Sequence, residues 1–152
     1  MLEAMKNMTK IFTIGANGKS PKQFFEILRK NGVKLVIDIR LNNKSQLAGF
    51  AKGGNDFLGF LLNEICCCEY IHDPYFAPTK RILDDYHRGH DWESYVEGFN
   101  ELIYERGFRD YFARKYAKYS NVCFLCAENE PDHCHRRLVA ESIVKPSEIT
   151  HL

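Results

Sequence analysis

Residues 11–40 read IFTIGANGKS PKQFFEILRK NGVKLVIDIR, and they contain two short apolar runs separated by an amphipathic segment. The runs at 11–14 and 34–39 are rich in β-branched residues, which favour strands. Between them, Ser20 and Gln23 have the spacing of a capping box at the start of a helix. A helix between two strands predicts a β-α-β unit with parallel strands and a right-handed crossover.

The rest of the chain continues this alternation. Apolar runs at 67–72 and 122–126 predict two further strands, and residues 149–151 are compatible with a short final one. We therefore predict an α/β fold, a three-layer single domain with a mainly parallel sheet and flanking helices. Residues 9–152 are expected to form this domain, and residues 1–8 a flexible N-terminal segment.

The composition is that of a globular protein, with 45% hydrophobic and 27% charged residues and a net charge of +1. No apolar run approaches the roughly 18–20 residues of a membrane helix, and the polar start lacks the core of a secretion signal. We therefore expect a cytoplasmic protein without a membrane partner. A nearly neutral chain has no global field that would attract nucleic acid.

The six cysteines include no CxxC pair, so a thioredoxin-type dithiol is not predicted. In a reducing cytosol, spare thiols are more often buried, metal-binding or reactive.

Residues 126–137, CAENEPDHCHRR, gather two thiols, two imidazoles, carboxylates and two guanidiniums in one short turn. The turn follows an apolar strand and precedes a segment with helical spacing. In an open α/β sheet such a turn lies at the carboxyl edge, where ligands bind. If Asp132 is the N-cap, Cys134 falls in the first helical turn, where the dipole favours a thiolate. We therefore expect Cys134 to be the more reactive thiol, because burial disfavours the charged form of Cys126.

Four separate segments deliver polar groups to this predicted edge, because parallel strands end on the same side of a sheet. We predict one shared pocket lined by Arg40, His72, Cys126, Glu128, Cys134 and His135. Simpler interpretations exist for single members: Asp38 could pair with Arg40, and Cys126 could be a small buried hydrophobe.

Several motifs make the chain resemble a known family. They are Thr13-Ile-Gly15, Ile37-Asp-Ile-Arg40, Tyr70-Ile-His72 and, above all, Cys126-Ala-Glu with Pro131-Asp-His-Cys-His-Arg136. Together they resemble the domain of unknown function 488 family over nearly the whole chain. The resemblance implies the α/β fold and a site at the last motif, and it specifies no reaction.

One hypothesis is an enzyme acting on a small anionic or nucleotide-like substrate. A thiol would be the nucleophile, an imidazole the proton carrier, a carboxylate the base and guanidiniums the anion clamps. The expected catalytic residues are Cys134, Cys126, Glu128 and His135. The residues expected to bind the substrate or anion are Arg40, Asp38, His72, Arg136 and Asn17.

A second hypothesis is a metal site, because mixed sulfur and imidazole ligands suit zinc or iron. Its ligands would be Cys126, Cys134 and one of His133 or His135. A third hypothesis is a non-enzymatic module that binds a nucleotide or nucleic acid. It rests on residues 81–92, where basic residues alternate with Tyr86 and Trp92 in the manner of stacking surfaces.

Overall fold

The computed structural model describes residues 9–44, 49–53 and 56–152, so the expectation for residues 1–8 lies outside the described residues. The described residues form five strands: β1 (Lys10–Gly15), β2 (Leu35–Asp38), β3 (Glu69–His72), β4 (Asn121–Cys126) and β5 (Ile149–His151). They also form six α-helices: α1 (Pro21–Lys30), α2 (Phe57–Cys66), α3 (Lys80–Gly89), α4 (Trp92–Arg106), α5 (Phe108–Tyr116) and α6 (His135–Ile143).

The five strands form one parallel sheet in the order β3-β2-β4-β1-β5. The predicted parallel α/β fold is therefore confirmed, including the short final strand. Strand β4 is central, with Leu125 beside Ile14 on one side and beside Asp38 on the other. As a result, the carboxyl ends of β1, β2 and β4 lie next to one another.

Helices cover both faces of the sheet because alternate strand residues point to opposite sides. Phe24 of α1 and Leu58 of α2 pack on one face with Leu125. Phe99 and Phe108, from α4 and α5, pack on the other with the inner side of α6. Each buried side chain of this size contributes about 1.5–3 kcal/mol. None of the helices formed by the described residues combines the length and apolar character needed to cross a bilayer.

Local signals explain the helix ends. The Ser20 hydroxyl accepts from the Gln23 amide and the Gln23 side chain accepts from the Ser20 amide, which confirms the capping box at α1. The apolar run predicted that the third strand begins at Cys67, and this is wrong. The strand begins at Glu69. Cys67 has a φ of 50°, because it ends α2 in the left-handed conformation, which is incompatible with a strand.

Candidate functional site

The site is built around the turn that leaves β4 at Cys126 and returns across the end of β1. The amide of Ala16 donates to the Cys126 carbonyl at 3.0 Å, and the amide of Asn17 donates to the Ala127 carbonyl at 2.9 Å. Gly15 permits this crossing, since a Cβ there would collide with the carbonyl of Glu128. The glycine is therefore required for the close approach of two backbone segments.

Arg136 holds the turn from inside the protein. Its side chain is completely buried, and its Nε donates to the Thr13 hydroxyl at 3.2 Å. Its two terminal nitrogens donate to the carbonyls of Glu128 and Asn129. The expected role of Arg136 as an anion clamp in the pocket does not fit this geometry, because the guanidinium is bonded to the turn's own backbone.

Cys126, Cys134 and His135 form a buried cluster in which the two sulfurs and a ring nitrogen lie within 4.8 Å of one another. The Sγ of Cys126 is 3.4 Å from Nδ1 of His135. The Nε2 of His135 is 2.8 Å from the carbonyl oxygen of Ile39. Since a carbonyl oxygen only accepts, Nε2 carries a hydrogen and Nδ1 is the nitrogen that interacts with the sulfur.

The electrostatics of the cluster favour the thiolate form of Cys126. Its pKa is held well below the ordinary value by a hydrogen bond from the Cys134 thiol, against the effect of burial, and also by His135 and the Glu128 amide. Burial raises the pKa of Cys134, and donation to Cys126 raises it further. Burial alone would lower the pKa of His135, but the neighbouring Cys126 sulfur raises it. These pKa shifts favour the thiolate form of Cys126, the protonated form of His135 and the neutral form of Cys134.

One premise of the prediction that Cys134 is the more reactive thiol is wrong, namely the position of the helix N-cap. Asp132 is not the N-cap of α6; Cys134 is, with extended backbone angles, and the helix begins at His135. Cys134 therefore lies before the first turn, with its sulfur within 4.8 Å of the Cys126 sulfur. Cys126 is buried, as its apolar strand predicted, but it is buried beside the His135 ring and the Cys134 thiol.

Asp38 and Arg40 form a second buried pair next to the cluster. Arg40 donates twice to the Asp38 carboxylate, from Nε at 2.8 Å and from Nη2 at 2.7 Å. Nη2 also donates to the Ala51 carbonyl at 2.6 Å, and the Tyr70 hydroxyl donates to Asp38 at 2.6 Å. The simpler interpretation of Asp38, as a partner of Arg40, is therefore the one that the structure shows.

A cavity of about 220 Å³ opens above the Cys126 thiolate. Its lining includes Arg40, Asn42, Tyr86, His87, Trp92, Tyr95, Cys126, Glu128, His133, Cys134 and His135. Five of the six residues predicted to share a pocket are among them. His72 is not: its Nε2 lies 2.7 Å from the Arg40 carbonyl. Asn17 and Asp38 also lie outside the lining residues of the described chain.

The aromatic wall of the cavity is the part that the sequence motifs did not assign to the site. Tyr86 and Trp92 were grouped with a nucleic-acid surface, yet both rings line the cavity beside Tyr95. Arg88, from the same segment, pairs with Asp85. His133, a predicted metal ligand, lies outside the sulfur cluster, with its ring 5.0 Å from that of Trp92. The sequence signal that could have assigned these rings to the site was the periodic spacing of aromatic residues in the segments that form α3 and α4.

Comparison with protein families gives one finding about identity. A family model described as "Domain of unknown function DUF488" matches residues 20–143, which is more than half of the chain. The match includes α1 through α6 and the whole Cys126–His135 turn. Neither the curated proteins nor the solved structures gave a match.

Proposed function

The chain belongs to the DUF488 family, and we propose that its Cys126–His135 pair is the catalytic centre of an enzyme. The proposed substrate is a small anionic or nucleotide-like molecule bound in the adjoining cavity. The observation that carries the proposal is the 3.4 Å contact between Cys126 Sγ and His135 Nδ1, with the other ring nitrogen bonded to Ile39. A thiolate beside an oriented imidazolium is the arrangement of an activated nucleophile.

The roles follow from the contacts. The Cys126 thiolate attacks an electrophilic carbon of the substrate, and a C–S bond forms as the bond to the leaving group breaks. His135 transfers the Nδ1 proton to that leaving group. Neutral His135 then accepts a proton from a water molecule, which attacks the carbon and releases the thiolate. Cys134 is a positioning residue, because its hydrogen bond stabilises Cys126.

Turnover with a panel of nucleotides and small phosphorylated or carboxylated compounds tests this proposal, with products followed by mass spectrometry. We expect conversion of at least one compound class, abolished in Cys126→Ser and His135→Gln. Cys67→Ser is the matched control, since Cys67 is exposed at the end of α2 and precedes the amino end of β3, whereas Cys126 lies at the carboxyl end of β4. Conversion that persists in Cys126→Ser would overturn the thiol mechanism.

The same cluster favours a second candidate, a site for zinc or iron. Two sulfurs and one imidazole nitrogen converge within 4.8 Å, and this Cys₂His set resembles catalytic zinc sites with three protein ligands and one open position. The Nε2 bond to Ile39 would orient the ligand histidine, as outer partners of metal-bound histidines do. His133 would not be a ligand in this geometry.

Elemental analysis of the purified chain distinguishes the two candidates. If the cluster is a metal centre, we expect about one zinc or iron per chain, lost in Cys126→Ser and in Cys134→Ser and kept in Cys67→Ser. Chelation would then accelerate alkylation of Cys126, because the metal masks the sulfur. A metal-free chain with a reactive Cys126 would eliminate the metal candidate and leave the thiol enzyme.

A further inference from the structure

One wall of the cavity is made of flat rings. The ring centroids of Trp92 and Tyr95 are 4.9 Å apart with an interplanar angle of 14°, and Tyr86 lies 5.1 Å from Tyr95. His133 reaches this wall from the Cys126–His135 turn, 5.0 Å from Trp92. The wall therefore joins residues from α3, α4 and the turn, directly beside the sulfur cluster.

From this wall we infer that the cavity binds a planar heterocyclic ring of the nucleobase class, packed against Tyr86, Trp92 and His133. The inference uses the site of the proposed function and narrows its substrate class. Aromatic side chains bind bases by stacking, and each such contact contributes substantially to affinity. Edge-to-face packing against the same rings is also favourable.

The volume of the cavity limits the size of the group that it can hold. Its volume of about 220 Å³ lies below the roughly 300–1,000 Å³ of pockets that enclose drug-sized ligands. A single ring system fits this space, whereas a sugar or phosphate attached to it would extend towards solvent. The exposed rim, with Glu128 and Asn42, provides a carboxylate and an amide for hydrogen bonds to the edge of the ring.

The charges of the cavity disfavour a simple anion as the inserted group. The guanidinium of Arg40 already donates to Asp38 and to the Ala51 carbonyl. The buried part of the remaining lining presents the Cys126 and Cys134 sulfurs and the His135 ring, and that ring already contacts Cys126 and the Ile39 carbonyl. Among the described lining residues, the buried cationic side chains Arg40 and His135 are thus already engaged within the protein, so an anion would find no unengaged buried cation there, whereas a neutral ring needs none.

Trp92 is the one tryptophan of the chain, so its fluorescence reports directly on the wall of the cavity. We expect saturable quenching by at least one of adenine, guanine, cytosine and uracil, and none by inorganic phosphate or ribose 5-phosphate. N-acetyltryptophanamide at matched absorbance corrects for light absorbed by the bases. Tyr86→Leu should weaken binding at least fivefold. Tyr104→Leu, at a position that is 89% exposed, is the matched control and should leave it unchanged.

The same titration on Cys126→Ser separates this inference from the proposed function. If Cys126→Ser still binds the base but has lost turnover, the result supports both the ring site and the thiol enzyme. Absence of base quenching in the parent chain, before and after treatment with a chelator, overturns the ring site, and the turnover test of the thiol enzyme stands independently. Quenching by phosphate at similar concentrations also overturns it, since the cavity would then be an anion site. Equal weakening by Tyr86→Leu and Tyr104→Leu would contradict the wall as the contact surface.

Discussion

Iodoacetamide at pH 6 is expected to alkylate Cys126 on the order of ten times faster than free N-acetylcysteine in the same tube. An ordinary thiol with a pKa of about 8.5 is only about 0.3% thiolate at this pH. The pKa of Cys126 is lowered by Cys134 and His135, so its thiolate is far more populated. Part of this gain is offset, because a thiolate of lower pKa is a weaker nucleophile.

The pH profile gives the sign of the effect. A lowered pKa keeps more of the thiolate as the pH falls, so labelling of Cys126 should fall much less between pH 8 and pH 6 than labelling of a free thiol. Labelling of the free thiol should fall on the order of 100-fold over the same range. His135→Gln removes one cause of the lowered pKa, while Cys134 remains, so the profile at Cys126 should become steeper without a change in the rate at the exposed Cys67. Peptide mapping that finds Cys134 labelled faster than Cys126 would contradict the assignment of the thiolate.

The parallel sheet could be predicted because its signals are local. The Ser20–Gln23 capping box and the apolar runs around it identify a helix between two buried strands without any tertiary information. The start of β3 was misplaced because Cys67 and Cys68 extend the apolar run. The left-handed backbone of Cys67 depends on how α2 ends, and the residue type gives no indication of it.

The position of the site at the carboxyl edge could be predicted from the topology of the sheet. The contacts that favour one cysteine as the thiolate could not. Strands β2 and β4 end side by side, so Arg40 and Cys126 were expected at one edge. The identity of the thiolate depends on the 3.4 Å contact with His135, and the orientation of His135 depends on the Ile39 carbonyl. Every residue has a carbonyl, so no sequence pattern identifies the one that orients a catalytic ring.

The same limit applies to the arginines. A guanidinium near a predicted anion site suggests that it binds the anion. However, Arg136 donates its hydrogen bonds to carbonyls of the turn, and Arg40 donates to Asp38. The sequence shows that an arginine can donate several hydrogen bonds to an anion or a carbonyl. Whether the acceptor is a ligand or the protein itself depends on how the folded chain packs. The aromatic wall was missed for a related reason, since α3 and α4 face the cavity only after the chain has folded.

Asp38→Ala is expected to lower the free energy of unfolding by about 3–5 kcal/mol, because it leaves the buried Arg40 charge without its partner. The Asp38 side chain is completely buried and accepts from Arg40 and from the Tyr70 hydroxyl. For a chain of this length, the loss corresponds to a fall in Tm of roughly 10 °C. Thermal and urea unfolding measure it, and Asp84→Ala, which breaks an exposed pair with Lys80, is the control with little expected change.

A double-mutant cycle with Arg40→Met measures how much of the stability comes from the interaction between Asp38 and Arg40. The Asp38→Ala, Arg40→Met chain carries no unpaired buried charge, so it should be less destabilised than the sum of the two single variants. The expected difference is about 1–3 kcal/mol. Strict additivity would mean that the carboxylate and the guanidinium are not coupled. In that case the effect of Asp38→Ala on stability would have to come from the lost Tyr70 hydrogen bond and not from the ion pair.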